Sequence, residues 1–519
     1  MRTWSAPFTF AAFALVSLAA CSDPQMTPPP PFPTTPTPTA TPSASASAEA
    51  AVDSIENKPA LPDAKAFDPP APEVVKLSNG MTLWLIERHT LPLVAVSVAM
   101  PIGSSDDPVG KEGLASITAD MMDEGAGGRS AIEVSTALQD LGVNLRTSVS
   151  LDGSVFSLTV LKKSFPQAFG ILADVIARPR FEEKEWKRVS DLWKNSLLKR
   201  ADDPDEVGRV IGQIAAYGPK HPYGHPADGF VESAKKIDLG AVKAFYGAQY
   251  RPEKIVLSIA GDVTKAEVAA AVDDAFGSWK PGPPPAAEPR EAQGSWTPPR
   301  VVLVDRPKAP QSLIAVVRDG VRLSDPKASL YDLVNTAIGG SFTSRLNQNL
   351  REDHNWTYGA GSAFTETRRG GVFIARAAVE TKHTGPALEE MLKELRTMAA
   401  SGLTSDELTK VRAQDRSDLV RLYESVSGMA GRFATLSFLG LPPDYDVASS
   451  RTRQGASLEA LNELARAVDP AKGTIVVVGP RSEVGPALAK YGTPEIWDPE
   501  GNPVKADAAP DAAPKRKAK

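Results

Sequence analysis

Histidine comes first, because hydrolytic metal sites and nucleophilic triads both depend on it. The chain has five: His89, His221, His225, His354 and His383. Only His221 and His225 stand four apart, the spacing that puts two ligands on one helical face. They do so in His221-Pro222-Tyr223-Gly224-His225-Pro226, where the prolines forbid a regular helix. A structural loop is therefore the expectation. No serine, histidine and acid set stands out, although such a triad can be dispersed along a chain. Two other constellations do stand out. Gly339-Gly340-Ser341-Phe342-Thr343-Ser344-Arg345-Leu346 is followed by Leu350-Arg351-Glu352 and then by Thr357-Tyr358-Gly359-Ala360-Gly361-Ser362. This places Arg351 and Tyr358 seven residues apart beside a glycine doublet suited to a tight turn or close backbone approach. In an arbitrary protein, Arg351 would cap or pair on a helix and Tyr358 would pack a strand. Between Gly113 and Gly125, Leu114, Ile117, Thr118 and Met121 form one helical face, with Ser116, Ala119 and Asp120 among them.

The elements that position these residues come in two sets. A Pro-rich break, Pro281-Gly282-Pro283-Pro284-Pro285 through Pro298-Pro299, separates halves of similar size. Each half opens on an apolar strand-like run, Leu93 to Met100 and Leu313 to Val317, followed by Asp107-Pro108 or Asp325-Pro326, which are 218 residues apart. Pro166 and Pro386 each open an amphipathic helix. Ile255 to Gly261 and Thr474 to Gly479 close the pattern, their last glycines again offset by 218. Landmarks at nearly constant offset imply duplication. Within each half, strands mix with longer helices, which predicts an α+β fold with helices packed on one face of each sheet.

Composition, 42% hydrophobic and 23% charged over 519 residues, describes globular material. The net charge of -5 and the lack of a basic stripe interleaved with aromatics argue against a nucleic-acid partner. Arg2 followed by an apolar run to Leu18 reads as an export signal over residues 1–20. Leu18-Ala19-Ala20-Cys21 resembles the bacterial lipobox, which implies lipidation of Cys21, the only cysteine; Ser22 after it points to the outer membrane. Residues 21–72 then read as a Pro-rich disordered tether, since they cannot bury enough apolar surface to fold. The expected location is the periplasmic face of a bacterial envelope, with membrane contact through the lipid anchor alone. The remaining divisions are a first domain over 73–280, a linker over 281–299, a second domain over 300–495 and a disordered tail over 496–519.

The segment from Gly113 to Gly125 resembles the inverted zinc motif of the insulinase and pitrilysin family of metallopeptidases, a helix carrying HxxEH. On that resemblance Ser116 and Asp120 stand where the histidines would, and Ala119 where the water-activating glutamate would. The family's third ligand, a glutamate on a later helix, maps to the stretch Phe181 to Asp203, where Val189, Ser190, Asn195 and Ser196 occupy the expected registers and Asp191 is the nearest carboxylate. The family also carries a His-Pro-Tyr-Gly loop without ligand duty. The segments around Gly339, Gly340, Arg351 and Tyr358 resemble the signature of the family's substrate-gripping half, in which the arginine holds the substrate backbone and the tyrosine hydrogen-bonds the scissile carbonyl. His354-Asn355-Trp356 departs from the small or aliphatic residues common between that pair. The resemblance covers about Glu73 to Tyr491 and implies a clamshell of two homologous halves. It further implies no cofactor in this chain and a non-catalytic, substrate-binding role beside a homologous subunit that brings HxxEH and zinc, the pair forming a heterodimer that hydrolyses peptides. The alternatives are a catalytically dead peptide-binding or scaffold lipoprotein, and an independent hydrolase with an unrecognised site.

Overall fold

The structure is a computed structural model that describes residues 67–279 and 296–504. Cys21, the export signal and most of the tether and linker lie outside the described residues. The fold is α+β, two halves closed on each other as a clamshell. In the first half the strands are β1 (Glu73–Lys76), β2 (Thr82–Glu87), β3 (Leu93–Met100), β4 (Arg146–Val149), β5 (Ser154–Leu161) and β6 (Val256–Gly261). They form one six-stranded sheet in the order β1-β2-β6-β3-β5-β4. In the second half, β7 (Val301–Asp305), β8 (Gln311–Asp319), β9 (Thr357–Glu366), β10 (Gly371–Glu380), β11 (Thr474–Gly479) and β12 (Glu495–Trp497) are ordered β12-β7-β11-β8-β10-β9. Five of the six positions repeat in order and direction: β2 and β7 run parallel to β6 and β11, which pair antiparallel with β3 and β8, and β5-β4 and β10-β9 follow as antiparallel pairs. Only the first strand of each order differs. β1 is antiparallel to β2, whereas β12 is parallel to β7.

The apolar runs expected as strands are buried on both faces, and period two separates the faces. Val94, Val96, Val98 and Met100 pack under the first half's own helices, while Ala95 faces the other way. Ile314 and Val316 pack likewise, opposite Leu313, Ala315 and Val317. The expectation that helices would cover one face omits what covers the other. The helix Pro204–Tyr217 belongs to the first half by sequence but lays Val207, Val210, Ile211 and Ile214 on the second sheet. The helix Val426–Leu439 returns the arrangement, placing Met429, Ala430, Phe433 and Leu436 on Trp84, Ala95 and Ala260 of the first sheet. Both helices have ordinary local reasons to form. Asp203 caps Asp205 and Glu206 ahead of Pro204, and Ser425 caps Gly428 before a left-handed Gly440 stops the second helix. Gly208 lets its helix lie close to the sheet, because a Cβ there would meet Leu313 Cδ2 at 1.9 Å.

Two boundaries move. Phe67 packs on Tyr423 and Asp68 pairs with Arg451, so the folded part begins before the expected Glu73. At the other end the expected boundary at 495 falls inside β12, and the chain continues to Val504 with Trp497 buried. Glu500 there accepts from Val231 N at 2.8 Å, tying the end of the second half to the first.

Candidate functional site

The Arg and Tyr constellation is built from backbone irregularities. The helix Tyr331–Asn335 passes into a π-helical turn, Thr336–Gly340, and Arg345–Asn347 passes into another, Gln348–Asp353, which carries Arg351. Such turns aim side chains that a regular helix would place elsewhere. Gly339 is required by close approach: a Cβ would lie 2.4 Å from Ser362 N of β9, and one on Gly340 would lie 2.7 Å from Asn335 Nδ2. Neither glycine has positive φ, so of the two expected reasons the approach is the operative one. Arg345 fastens the segment with paired bonds of 2.7 Å to Glu407. Arg351 lies with its guanidinium carbon 4.6 Å from the centre of the Phe342 ring, and its Nε is 3.5 Å from Glu352 Oε1.

Tyr358 is 87% exposed, so it does not pack the strand that carries it. The β9–β10 register explains its aim. Ala360 pairs with Ala377 and Thr357 with Val379, so Tyr358 and Gly359 together oppose the single residue Ala378. This is a β-bulge, a device that turns a side chain out of the regular alternation. Gly359 inside the strand run is compatible with a bulge but does not fix its place. Next to it, Trp356 stacks on His354 at 4.1 Å and on His383 at 5.3 Å.

In the first half, the helix Leu114–Met122 starts at Gly113, whose φ is 97°. Asp107 of the Asp-Pro turn receives Gly113 N and Ala115 N, each at 2.7 Å, and so caps that helix. Ser116 donates to the carbonyl of Ala227 at 2.6 Å. Trp193 Nε1 donates to Asp228 O, and Arg200 to Gly229 O, both at 2.9 Å. The loop following His225 is therefore fastened across Ser116 and the helix Glu183–Arg200. Ala119 is buried without solvent contact. On the second helix Val189 and Ser190 face inward, while Asp191, Asn195 and Ser196 are exposed. Zinc takes histidine, cysteine and carboxylate donors in near-tetrahedral sets, and the motif positions offer one carboxylate, Asp120, and a hydroxyl already bonded to a carbonyl. These residues do not fit zinc.

Asp120 has its own chemistry. Burial, followed by repulsion from Asp123, Glu124 and Asp228, pushes its carboxyl up to about 7. Since an unfolded aspartate titrates near 3.8, the folded state holds the extra proton between those values, and stability declines as pH rises through that window. Asp120→Asn is expected to remove this slope. It should stabilise the protein at pH 8, by at least about 1 kcal/mol, and change little at pH 4. Equal effects at both pH values in urea titrations would rule out the assignment.

The His-Pro-Tyr-Gly loop is structural, as read, but it has a larger task. Tyr223, fully buried, donates to Asp152 Oδ1 at 2.6 Å. Asp152, at the tip of the β4–β5 hairpin and 2% exposed, also accepts from Arg368 N at 2.8 Å and lies 3.3 Å from Arg368 Nε. Arg368 sits at the tip of the β9–β10 hairpin, the repeat's counterpart. Arg369 N donates to the Tyr223 hydroxyl at 3.0 Å, so this loop joins the equivalent hairpins of the two halves.

Comparison with known proteins agrees with this architecture. Residues 83–204 match the family described as insulinase (peptidase family M16), and residues 236–414 match the peptidase M16 inactive domain. An uncharacterized zinc protease of Bacillus subtilis (strain 168) is 24% identical over 357 residues, covering 68% of this chain and 85% of that one. The crystal structure of a peptidase M16 inactive domain from Pseudomonas fluorescens superposes with a TM-score of 0.72 at 22% identity, covering 79% of this chain and 98% of that chain. A chain of Complex III2 from Candida albicans superposes at 0.68 with 13% identity, covering 81% of this chain and all of that one. The protein belongs to the insulinase and pitrilysin family of metallopeptidases.

Proposed function

We propose that this chain is the non-catalytic, substrate-binding subunit of a two-chain zinc peptidase, with Arg351 and Tyr358 directed at peptide held against a homologous partner that brings HxxEH, the zinc and the general base. The observation that carries the reading is the exposure of Tyr358 on a bulge of β9, seven residues after Arg351, combined with first-half motif positions that lack a zinc donor set. A guanidinium held at a surface can hold the substrate backbone, and a phenol there can donate to the scissile carbonyl as negative charge develops on it, a stabilisation that counts only when the reacting group is brought to it. The role is further supported by the family's inactive-domain match over 236–414. In this reading Cys21 carries the lipid, the tether sets the distance from the outer membrane, and the chain itself binds no cofactor.

The test is to purify the tagged chain from its native envelope and identify what accompanies it. A co-purifying homologue containing HxxEH is expected. Mixing the two chains with a quenched fluorescent peptide should give cleavage that a chelator abolishes. Cleavage by the partner alone at the same rate would sink the subunit role, and stoichiometric zinc on this chain alone would overturn the account of Ser116, Ala119 and Asp120. Peptide binding with no cleaving partner would favour a scaffold instead.

A further inference from the structure

Phe342 is a large apolar side chain left 62% exposed, at the turn between the glycine doublet and the helix Arg345–Asn347. It belongs to none of the buried core clusters of the described residues. Its contact is with Arg351, whose guanidinium lies over the ring. The adjacent Glu352 at 3.5 Å is an exposed sequence neighbour, and such pairs orient a side chain weakly. The ring is different, because cation–π attraction holds the guanidinium over one face of Phe342 while leaving N–H groups free to donate.

Asn347 adds a second constraint. It is 4% exposed and uses both ends of its amide: Nδ2 donates to Phe342 O at 2.7 Å, and Oδ1 accepts from Ala360 N at 3.2 Å. One bond holds the turn bearing the ring beneath Arg351. The other holds β9 two residues past Tyr358. A single buried amide thus sets the spacing between the guanidinium's platform and the strand that carries the phenol.

We infer that Phe342 and Asn347 are positioning residues for Arg351 and Tyr358, holding the guanidinium over the ring and setting its separation from the phenol so that both reach one peptide. This rests on the substrate-binding role proposed above. Phe342→Leu keeps apolar bulk but removes the ring face, and Phe342→Trp restores a face; neither touches the core. In the native two-chain complex, Phe342→Leu should raise KM for the quenched peptide about two- to fivefold, with kcat and melting temperature unchanged, and Phe342→Trp should restore KM. In NMR spectra of the isolated chain, the Arg351 Nε–H signal should carry a ring-current shift that disappears in Phe342→Leu and persists in Phe342→Trp. Asn347→Asp, which keeps the acceptor for Ala360 N and loses the donor to Phe342 O, should share the rise in KM. Arg351→Ala is the reference. If it leaves cleavage unchanged, the substrate-binding role falls and this inference with it. A strong effect of Arg351→Ala with no effect of Phe342→Leu on KM or on the Nε–H signal would overturn the positioning role alone.

Discussion

Asp152→Ala is expected to lower the protein's stability by about 3 kcal/mol, near the lower end for breaking a buried charge pair. The carboxylate is 2% exposed and answers a phenol, a backbone N–H and a guanidinium at once. Alanine would leave the Arg368 charge without its partner at the junction and Arg368 N without an acceptor. Arg368 keeps about a third of its surface in water, which argues against the upper end of the range. Burial raises the Tyr223 phenol well above its ordinary value, so it remains the proton donor to Asp152 across the neutral range. Asp152→Asn keeps the hairpin's shape and an acceptor oxygen, and should cost about half as much. Urea unfolding followed by fluorescence and circular dichroism measures both. A loss below about 1 kcal/mol for the alanine variant would mean that the hairpins are joined by other contacts.

Tyr358→Phe should lower kcat of the two-chain enzyme by about a hundredfold or more, the usual effect of removing one donor from a developing oxyanion. KM should change little, because a neutral ground-state carbonyl gains less from the hydroxyl than the transition state does. An 87% exposed side chain makes no core contact to lose, so the melting temperature should not move. A kcat within twofold of wild type would remove Tyr358 from the chemistry. A parallel loss of stability would assign it a packing role that its exposure contradicts.

The duplication was legible in the sequence because strand runs and Asp-Pro turns recur at fixed offsets, and β3, β6, β8 and β11 lie where those runs predicted. The glycine doublet was legible because a close approach leaves only glycine as a solution. The exchange of the helices Pro204–Tyr217 and Val426–Leu439 was not. An amphipathic stripe says that a helix will bury one face, and nothing in Val207, Val210, Ile211 and Ile214 says against which sheet. The junction at Asp152, Tyr223 and Arg368 was hidden for a related reason: three loops each contribute one ordinary residue, and only the tertiary fold brings them together. In the candidate site, Arg351 and Tyr358 were found by pattern, but the bulge and the ring beneath the guanidinium depend on register and rotamer.

The exchanged helices also dictate an order of events during synthesis. When β6 has left the ribosome the first sheet has all its strands, yet the surface around Trp84, Ala95 and Ala260 stays bare until Val426–Leu439 has been made. The amino-terminal half must wait, partly folded and adhesive, for a segment encoded near the far end of the message. A chain stalled or truncated between the halves would therefore yield a sticky intermediate instead of a smaller working domain.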